Sequence, residues 1–534
     1  MEHDKTIPIV VGVTGHRAIR EQDYEAIIST VKDELKKLQK RCPNSQIMML
    51  TSLAEGGDLL CAEAANELGI SLSAVLPVEK EVYELDFSEK AKKRLDYHCK
   101  RAESVFVAPA AEIVPESGAS RDFYFRQAGI YVATHCHVLL ALWDGGSGTK
   151  AACGTAEAVD FALSGSYSPF SGIATRSENN IVVLNIFTPR GERLGEAAGT
   201  VHILGNRSAV ENILKNTDEF NRQASKTDAG TKSRLPETVQ SDPCLARIEK
   251  ISTIAGILSS QYAKRYRKVL GFLAVSCTLL TFAFLLYDVE QILWMILMCG
   301  CMLAAAVFCS RFAVRSKSHE KYIEYRALAE CLRVQTYLRY AGSQVQASGL
   351  LSWTQQEETA WVMVALLALE IGDGPKEKHD ILDYWAEDQR EYHKQAGKRF
   401  QRKVAISETI VRVALIFSIT LYCAAVVFEL GWGGLVRPSA ASVENAETYR
   451  NILKLSLGTI SAVTLFVANY YGKQSLPRVL SDHKKMEKFY TKMAEQLSQK
   501  GQSDELLTVL AREELIENGN WSSYQRDNKP DISF

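Results

Sequence analysis

VLGFLAVSCTLLTFAFLLY, residues Val269 to Tyr287, carries no charged side chain, and after Asp288, Val289 and Glu290 the chain turns apolar again from Ile292 to Cys309. Each run has about the ~20 residues that an α-helix rising ~1.5 Å per residue needs to cross a ~30 Å hydrocarbon layer. Two spans joined by so short a connection must be antiparallel, which predicts a transmembrane hairpin. Lys264, Arg265, Arg267 and Lys268 precede the first run and Arg311, Arg315 and Lys317 follow the second, so both ends belong on the cytoplasmic side. Everything before Val269 is expected in the cytoplasm.

The remainder is mostly soluble in character. At 534 residues the chain exceeds what one core supports, and its mean hydropathy of -0.09 averages a charge-rich majority with a few very apolar segments. A net charge of -1 provides no global basic field, and no nucleic-acid partner is expected. The twelve cysteines are scattered and none has CxxC spacing, which is the usage of reduced, mostly buried thiols. The opening Glu2, His3, Asp4 and Lys5 do not read as a secretory leader, so insertion is expected to rely on the internal hairpin.

Upstream of the hairpin, Ile7 to Val13 (IPIVVGV) is a β-branched run that stops at Thr14, Gly15, His16 and Arg17. A helix follows, with apolar Ile27, Ile28, Val31, Leu35 and Leu38 at helical spacing. The unit recurs. Ile47 to Leu50 leads into SLAEGGD (Ser52 to Asp58) and a helix from Leu59 to Leu68; Leu72 to Leu76 ends at Pro77; Ser104 to Val107 ends at Pro109. Val138 to Trp143 stops at Asp144, Gly145 and Gly146, with Gly154, Thr155 and Glu157 opening the next helix, and Ile181 to Ile186 is the last strand. Strands alternating with helices over short connections predict a parallel, doubly wound α/β sheet that binds ligands at the carboxyl ends of its strands.

Three glycine turns, at Gly12 to Arg17, Glu55 to Asp58 and Gly145 to Glu157, would converge on that edge. Glycines there let backbone N–H groups approach an anion, and helix N-termini favour phosphate. Each glycine alone is equally explained by a tight turn; three in phase point to a site. The candidate ligand-binding residues are Gly12, Thr14, Gly15, His16 and Arg17, then Glu55, Gly56, Gly57, Asp58 and Pro77, and finally Trp143, Asp144, Gly145, Gly154, Thr155 and Glu157. Arg17 can clamp a phosphate or carboxylate, Asp58, Asp144 or Glu157 can accept from ribose hydroxyls, and His16 either contacts the ligand or caps a helix. The chain has neither GxxxxGK[ST] nor a strict GxGxxG, which argues against a P-loop NTPase or a standard NAD dehydrogenase. His135, Cys136 and His137 alternate at the start of a buried strand and so face opposite sides of the sheet; no metal site and no cofactor are expected.

In order along residues 5 to 205, VGVTGHR (Val11 to Arg17), SLAEGGD, Tyr83 with Asp86 and Phe87, AGIYV (Ala128 to Val132), ALWDG (Ala141 to Gly145) and GTAE (Gly154 to Glu157) resemble bacterial SLOG domains. These are relatives of the Lonely-Guy phosphoribohydrolases and of the DNA-processing protein DprA. The resemblance implies a Rossmann-like domain binding a nucleotide or a nucleotide-derived signal, with N-glycosidic cleavage in some relatives. The enzymes' phosphate loop resembles PGGxGTxxE; here Ala151, Ala152 and Cys153 precede Gly154, so Cys153 stands in for a loop glycine and the Pro-Gly pair is absent. Sensing is expected over turnover, with Glu157 and Arg17 catalytic only if hydrolysis persists.

Residues 216–244 are polar and read as a linker, after which Leu245 to Lys268 resumes helical periodicity and runs into the first span. Past the hairpin, Ser318 to Tyr340 is an amphipathic helix, and Thr359 to Glu370 is apolar but too short to cross, hence a buried helix. Lys376 to Lys403 is a charged helix; Ile410 to Leu430 is long enough for a third span and Ile452 to Tyr471 for a fourth. The fourth is punctuated by Lys454, Ser456, Thr459, Ser461, Thr464 and Asn469, a polar face that either lines a pore or bonds neighbouring helices. His319 to Tyr325 before Ala329-Glu330, and His483 to Phe489 before Ala494-Glu495, suggest a duplicated unit of hairpin, basic flank and amphipathic helix.

This layout over residues 245 to 525 resembles the SLATT membrane effectors that accompany SLOG sensors in bacterial conflict systems. The expected architecture is a Rossmann-like α/β domain (1–215), a linker (216–244), a first hairpin with flanking helices (245–345), a cytoplasmic helical segment (346–404) and a second hairpin with C-terminal amphipathic helices (405–534). Four spans would place both termini in the cytoplasm of a multi-pass inner-membrane protein. The expected function is that of an antiphage membrane effector which binds a nucleotide-derived or NAD-derived messenger, homo-oligomerises and forms a pore or perturbs the bilayer. Its partners would be the small molecule, the lipid and a messenger-producing enzyme encoded nearby. The alternative is a membrane-tethered nucleotide N-glycosidase.

Overall fold

A computed structural model describes residues 5–110, 119–146, 154–164, 181–190, 196–228, 230, 235–236, 242–290, 292–352, 355, 358–375, 377–428, 440–473 and 476–527, with the side chains of 274, 277, 290, 313, 428, 440–446 and 465–473 outside the described set. The chain divides into two units: Met1–Leu258 with Glu324–Ile381 and Gln502–Asn520, and Ser259–Ile323 with Leu382–Gly501 and Trp521–Phe534.

The first unit is built on a seven-stranded sheet. Strands β1 (Ile9–Gly15), β2 (Ile47–Thr51), β3 (Ser71–Leu76), β4 (Ser104–Val107), β5 (Val138–Trp143), β6 (Val182–Phe187) and β7 (Val201–Gly205) are ordered 4-3-2-1-5-6-7. Strands β1 to β6 are parallel, in agreement with the alternating strand and helix pattern. The seventh strand is a correction: β7 runs antiparallel to β6, with Val182 opposite Gly205 and Ile186 opposite Val201. Only a helical crossover delivers a parallel neighbour, and the connection from Phe187 to Val201 holds no helix among its described residues. Val11 in β1 pairs with Met49 on one side and Val138 on the other, so the strand is buried on both faces and its near-continuous apolar run is explained.

The helices are α1 (Tyr24–Arg41), α2 (Gly57–Glu67), α3 (Glu89–Arg101), α4 (Arg121–His135), α5 (Thr155–Ser164) and α6 (Arg207–Ala224). Helix α6 corrects the linker boundary, since residues from Asn216 to Ala224 continue it. Their polarity is that of an amphipathic helix whose Thr217, Phe220 and Asn221 are fully buried. Asn221 binds both polar groups of Ile7, accepting from its N–H and donating to its carbonyl at 2.8 Å each, and donates to Ser45 Oγ at 2.8 Å. One side chain thus pins the approaches to β1 and β2. Phe220 packs edge-on to Tyr325, 5.4 Å between centroids, and Gln223 donates to the Tyr325 hydroxyl, so the segment Glu324–Ile381 belongs to this unit rather than to a separate module.

Helix α7 (Pro243–Glu290) is uninterrupted over 48 residues, joining the expected cytoplasmic helix to the first span. After it come α8 (Leu293–Ser316), α9 (Ser318–Tyr340) and α10 (Ala360–Glu370), the last buried along its whole length as its composition predicts. Helix α11 (Asp388–Phe428) fuses the charged helix and the third span, and α12 (Ala440–Lys473), α13 (Leu476–Lys500) and α14 (Asp504–Asp527) complete the chain.

Among the described residues three helices, over Pro243–Val289, Leu293–Tyr340 and Leu382–Val427, are long and apolar enough to cross a membrane. Their apolar side chains face outward: Leu297 is 70% exposed, Phe308 72%, Ile416 65% and Val427 71%. Surfaces of this kind require lipid or protein cover. The fourth expected span lies within α12, part of whose side chains fall outside the described residues. Gly458 of that helix sits where a Cβ would be 2.6 Å from Leu285 Cδ1, so at this point a small residue of α12 serves helix contact.

Candidate functional site

Strand order reverses between β1 and β5, and the crevice outside their carboxyl ends is the place where open α/β sheets bind ligands. The chain leaves β1 at His16, whose N–H donates to Leu142 O at 3.0 Å and whose carbonyl accepts from Gly57 N–H at 2.9 Å. This second bond joins two of the glycine turns. Gly15 and Gly57 touch through their backbones, with a Cβ on Gly15 falling 3.0 Å from Gly57 Cα, and Gly56 has φ +99° with its absent Cβ facing Arg17 O and His16 O. These glycines therefore let two loops pack, and the first amide of α2 is spent on the protein rather than offered to an anion. Gly12 lies inside β1 against Cys136, and Pro77 is buried beyond β3; neither reaches the crevice through a turn of its own.

His16 is 5% exposed, and its Nε2 accepts the Asp144 N–H at 3.1 Å. The same nitrogen is 3.3 Å from Asp144 Oδ1, but an acceptor nitrogen carries no proton, so this contact is not an ion pair. Burial, then the Arg190 charge, lowers the His16 pKa against the opposing pull of Asp144, in keeping with a neutral ring. Burial works against ionised Asp144, yet the Gly146 N–H at 3.1 Å and the Arg190 charge at 3.5 Å hold its carboxyl below the usual range. Asp144 is thus an anion at the lip of the switch point. Trp143 ends β5 half-buried, and Thr14 is likewise half-buried at the end of β1.

Asp58 is turned inward. It is 4% exposed and accepts from Thr51 Oγ1 at 2.9 Å and from the Ser52 and Ala54 backbone, which makes it the organiser of the loop after β2. Glu55 is also occupied, accepting from Ser88 Oγ at 2.7 Å and Ser88 N–H at 3.2 Å at the start of α3.

Arg17 remains outward. Its guanidinium lies over the Phe125 ring at 5.4 Å, and among the described residues no carboxylate pairs with it. Arg121 covers the same ring at 5.6 Å and binds Asp86, while Tyr83 packs on Phe87 (4.9 Å) and Phe125 (5.6 Å). Glu157, in the first turn of α5, pairs with Arg126 Nε at 3.0 Å, both side chains about 30% exposed. Gly154 caps that turn through its carbonyl, which accepts from Glu157 N–H, and Thr155 begins the helix. Gly148, Thr149 and Cys153 of the third glycine turn lie outside the described residues.

The fold therefore gathers Arg17, His16, Asp144, Gly145 and Trp143 at one edge and adds Arg121, Phe125, Arg126 and Arg190, which the sequence pattern did not single out. The signal for α4 was present in RDFYFRQ, where Arg121 and Phe125 stand four apart and share a face. His135 and His137 have unrelated tasks: the first stacks on Tyr131 at 3.8 Å, and Nδ1 of the second accepts the Val10 N–H at 3.1 Å. No protein-family model and no curated protein matches this chain.

Proposed function

We propose that this chain is a membrane effector that senses a nucleotide-derived signal through the SLOG-like crevice and responds by oligomerising into a pore or perturbing the inner membrane, as in antiphage defence. The observation that carries it is the joining, in one chain, of an outward Arg17 and anionic Asp144 at a sheet switch point to helices whose apolar surfaces are left outward. Arg17 holds the phosphate and Asp144 takes a ribose hydroxyl, the division of labour suited to a nucleotide. Helix α12 supplies the fourth span, both termini stay cytoplasmic, and a messenger-producing enzyme encoded nearby supplies the ligand. Four helices enclose little space, so several copies build the pore. The test is leakage of a dye from liposomes holding the full chain. NAD, ADP-ribose, cyclic ADP-ribose and cyclic dinucleotides are added in turn; one is expected to trigger leakage that Arg17→Ala abolishes, and silence with all of them overturns the proposal.

The Arg126–Glu157 pair favours a second activity, N-glycosidic hydrolysis with Glu157 as acid/base and an arginine on the phosphate. Release of free base from a nucleoside monophosphate or NAD, lost in Glu157→Gln, would establish it.

A further inference from the structure

Helix α11 changes character along one face. Arg399, Lys403, Ile406, Ile410, Val413 and Phe417 recur at spacings of four and three residues, so they share a single stripe of the helix. Its apolar members point outward, Ile406 54%, Val413 60% and Phe417 52% exposed, within the helix long and apolar enough to cross a membrane. Lys398 and Arg402 flank the basic end of the stripe, and all four cations are exposed. Another side of the helix is closed by α13, where His393 Nδ1 lies 3.0 Å from His483 Nδ1 and Phe400 stacks on His483 at 5.3 Å. Elsewhere along α11 each cation has its acid: Arg390 pairs with Glu387 at 2.6 Å, Lys394 with Glu391 at 3.2 Å and Arg412 with Glu408 at 3.2 Å. Glu391, whose field reaches Lys398, is also bound by Gln395 at 3.1 Å. Among the described residues no carboxylate forms an ion pair with Lys398, Arg399, Arg402 or Lys403. Lys403 rests over the Phe400 ring at 5.1 Å, a neutral partner that leaves its charge in place.

At ~1.5 Å per residue, Lys403 stands about 4.5 Å and Arg399 about 10 Å before Ile406, a span that covers the headgroup layer of about 5–8 Å on one side of a ~30 Å hydrocarbon core. A topology signal needs cations anywhere near a span; here they stand on the very face that the apolar chains continue into the bilayer. Four basic residues beside a membrane helix suit anionic headgroups, whereas a zwitterionic head brings its own cation and leaves the four uncompensated. A soluble polyanion would meet the charges but gain nothing from the apolar half of the stripe. We propose that Lys398, Arg399, Arg402 and Lys403 form a docking face for anionic phospholipid headgroups of the cytoplasmic leaflet, with the lipid chains along Ile406, Ile410 and Val413. This rests on α11 crossing the bilayer with its charged end in the cytoplasm.

Native mass spectrometry of the full chain from phosphatidylcholine nanodiscs doped with phosphatidylglycerol tests it. Bound phosphatidylglycerol is expected on the native chain. It should fall about tenfold or more when all four cations become Gln, and persist when Lys398 and Lys403 become Arg and Arg399 and Arg402 become Lys. Glycerol 3-phosphate should not displace it. Unchanged retention in the Gln variant, equal retention of phosphatidylcholine, or displacement by glycerol 3-phosphate overturns the proposal. Gln401→Cys separates the lipid face from the span beneath it. A membrane-impermeant maleimide should label that variant, above the native chain's own labelling, in inside-out vesicles and not in right-side-out spheroplasts. That pattern without selective retention of phosphatidylglycerol defeats the lipid face alone; labelling from the outer side defeats the orientation of α11 and the proposal with it.

Discussion

Gly56 and Gly145 both adopt left-handed backbone, at φ +99° and +70°, but their surroundings differ. A Cβ at Gly56 would meet Arg17 O at 2.2 Å, whereas one at Gly145 meets nothing within 4 Å. Gly145→Ala is expected to cost only the ~1 kcal/mol of the conformation itself, and Gly56→Ala clearly more because a backbone carbonyl must also move. Thermal unfolding of the full chain in detergent separates the two. Asp58 provides a pH signature. Burial raises its pKa to about 7, against the lowering pull of Thr51, the Ala54 and Ser52 backbone, and Arg17. The folded state holds the proton more tightly than the unfolded one, so the stabilisation is complete below the ordinary carboxylate value of 3.8 and is lost as pH rises through about 7. Melting temperature is expected to fall between roughly pH 4 and 7, by the equivalent of a few kcal/mol at most, and Asp58→Asn should flatten that slope.

Helix α6 shows how one element fixes a domain boundary. Its Asn221 spends three hydrogen bonds on Ile7 and Ser45 while fully buried. Asn221→Leu keeps the volume but leaves the Ile7 groups without partners, an expected loss of about 2–4 kcal/mol by chemical denaturation. The polar surface of α6 hid this role from composition, because a linker and the solvent face of an amphipathic helix contain the same residues. What distinguishes them is the period of Val210, Ile213, Leu214, Thr217, Phe220 and Ala224, all buried. Helix α10 is the opposite case, since an apolar run too short to span has no alternative to burial.

Across the whole molecule, the continuous α7 begins beside the sheet-bearing unit's other helices and ends in the apolar run of Val269 to Tyr287. A rigid helix transmits displacement only while its hydrogen-bond ladder is intact. Lys264→Pro removes one bond and clashes with the preceding turn, a cost of about 3 kcal/mol relieved by kinking. Under the proposed function this variant should keep ligand affinity in titration calorimetry yet lose ligand-triggered liposome leakage; leakage at the native level would show that α7 is not the transmitter.

Periodicity and length settled the elements: β1 to β6 from β-branched runs and the α7–α8 pair from two uncharged stretches, because each is a local consequence of side-chain shape and solubility. Pairing was decided only in three dimensions. That β7 returns antiparallel, that Gly15 and Gly57 serve each other, that Asp58 and Glu55 bind the protein, and that Arg121, Phe125 and Arg126 join Arg17 all depend on residues distant in the chain. A strand or a span needs only its own sequence to be recognised. A hydrogen-bond partner is chosen by the fold, which brings a particular donor within 3 Å of a particular acceptor and shuts out the water that would otherwise satisfy both.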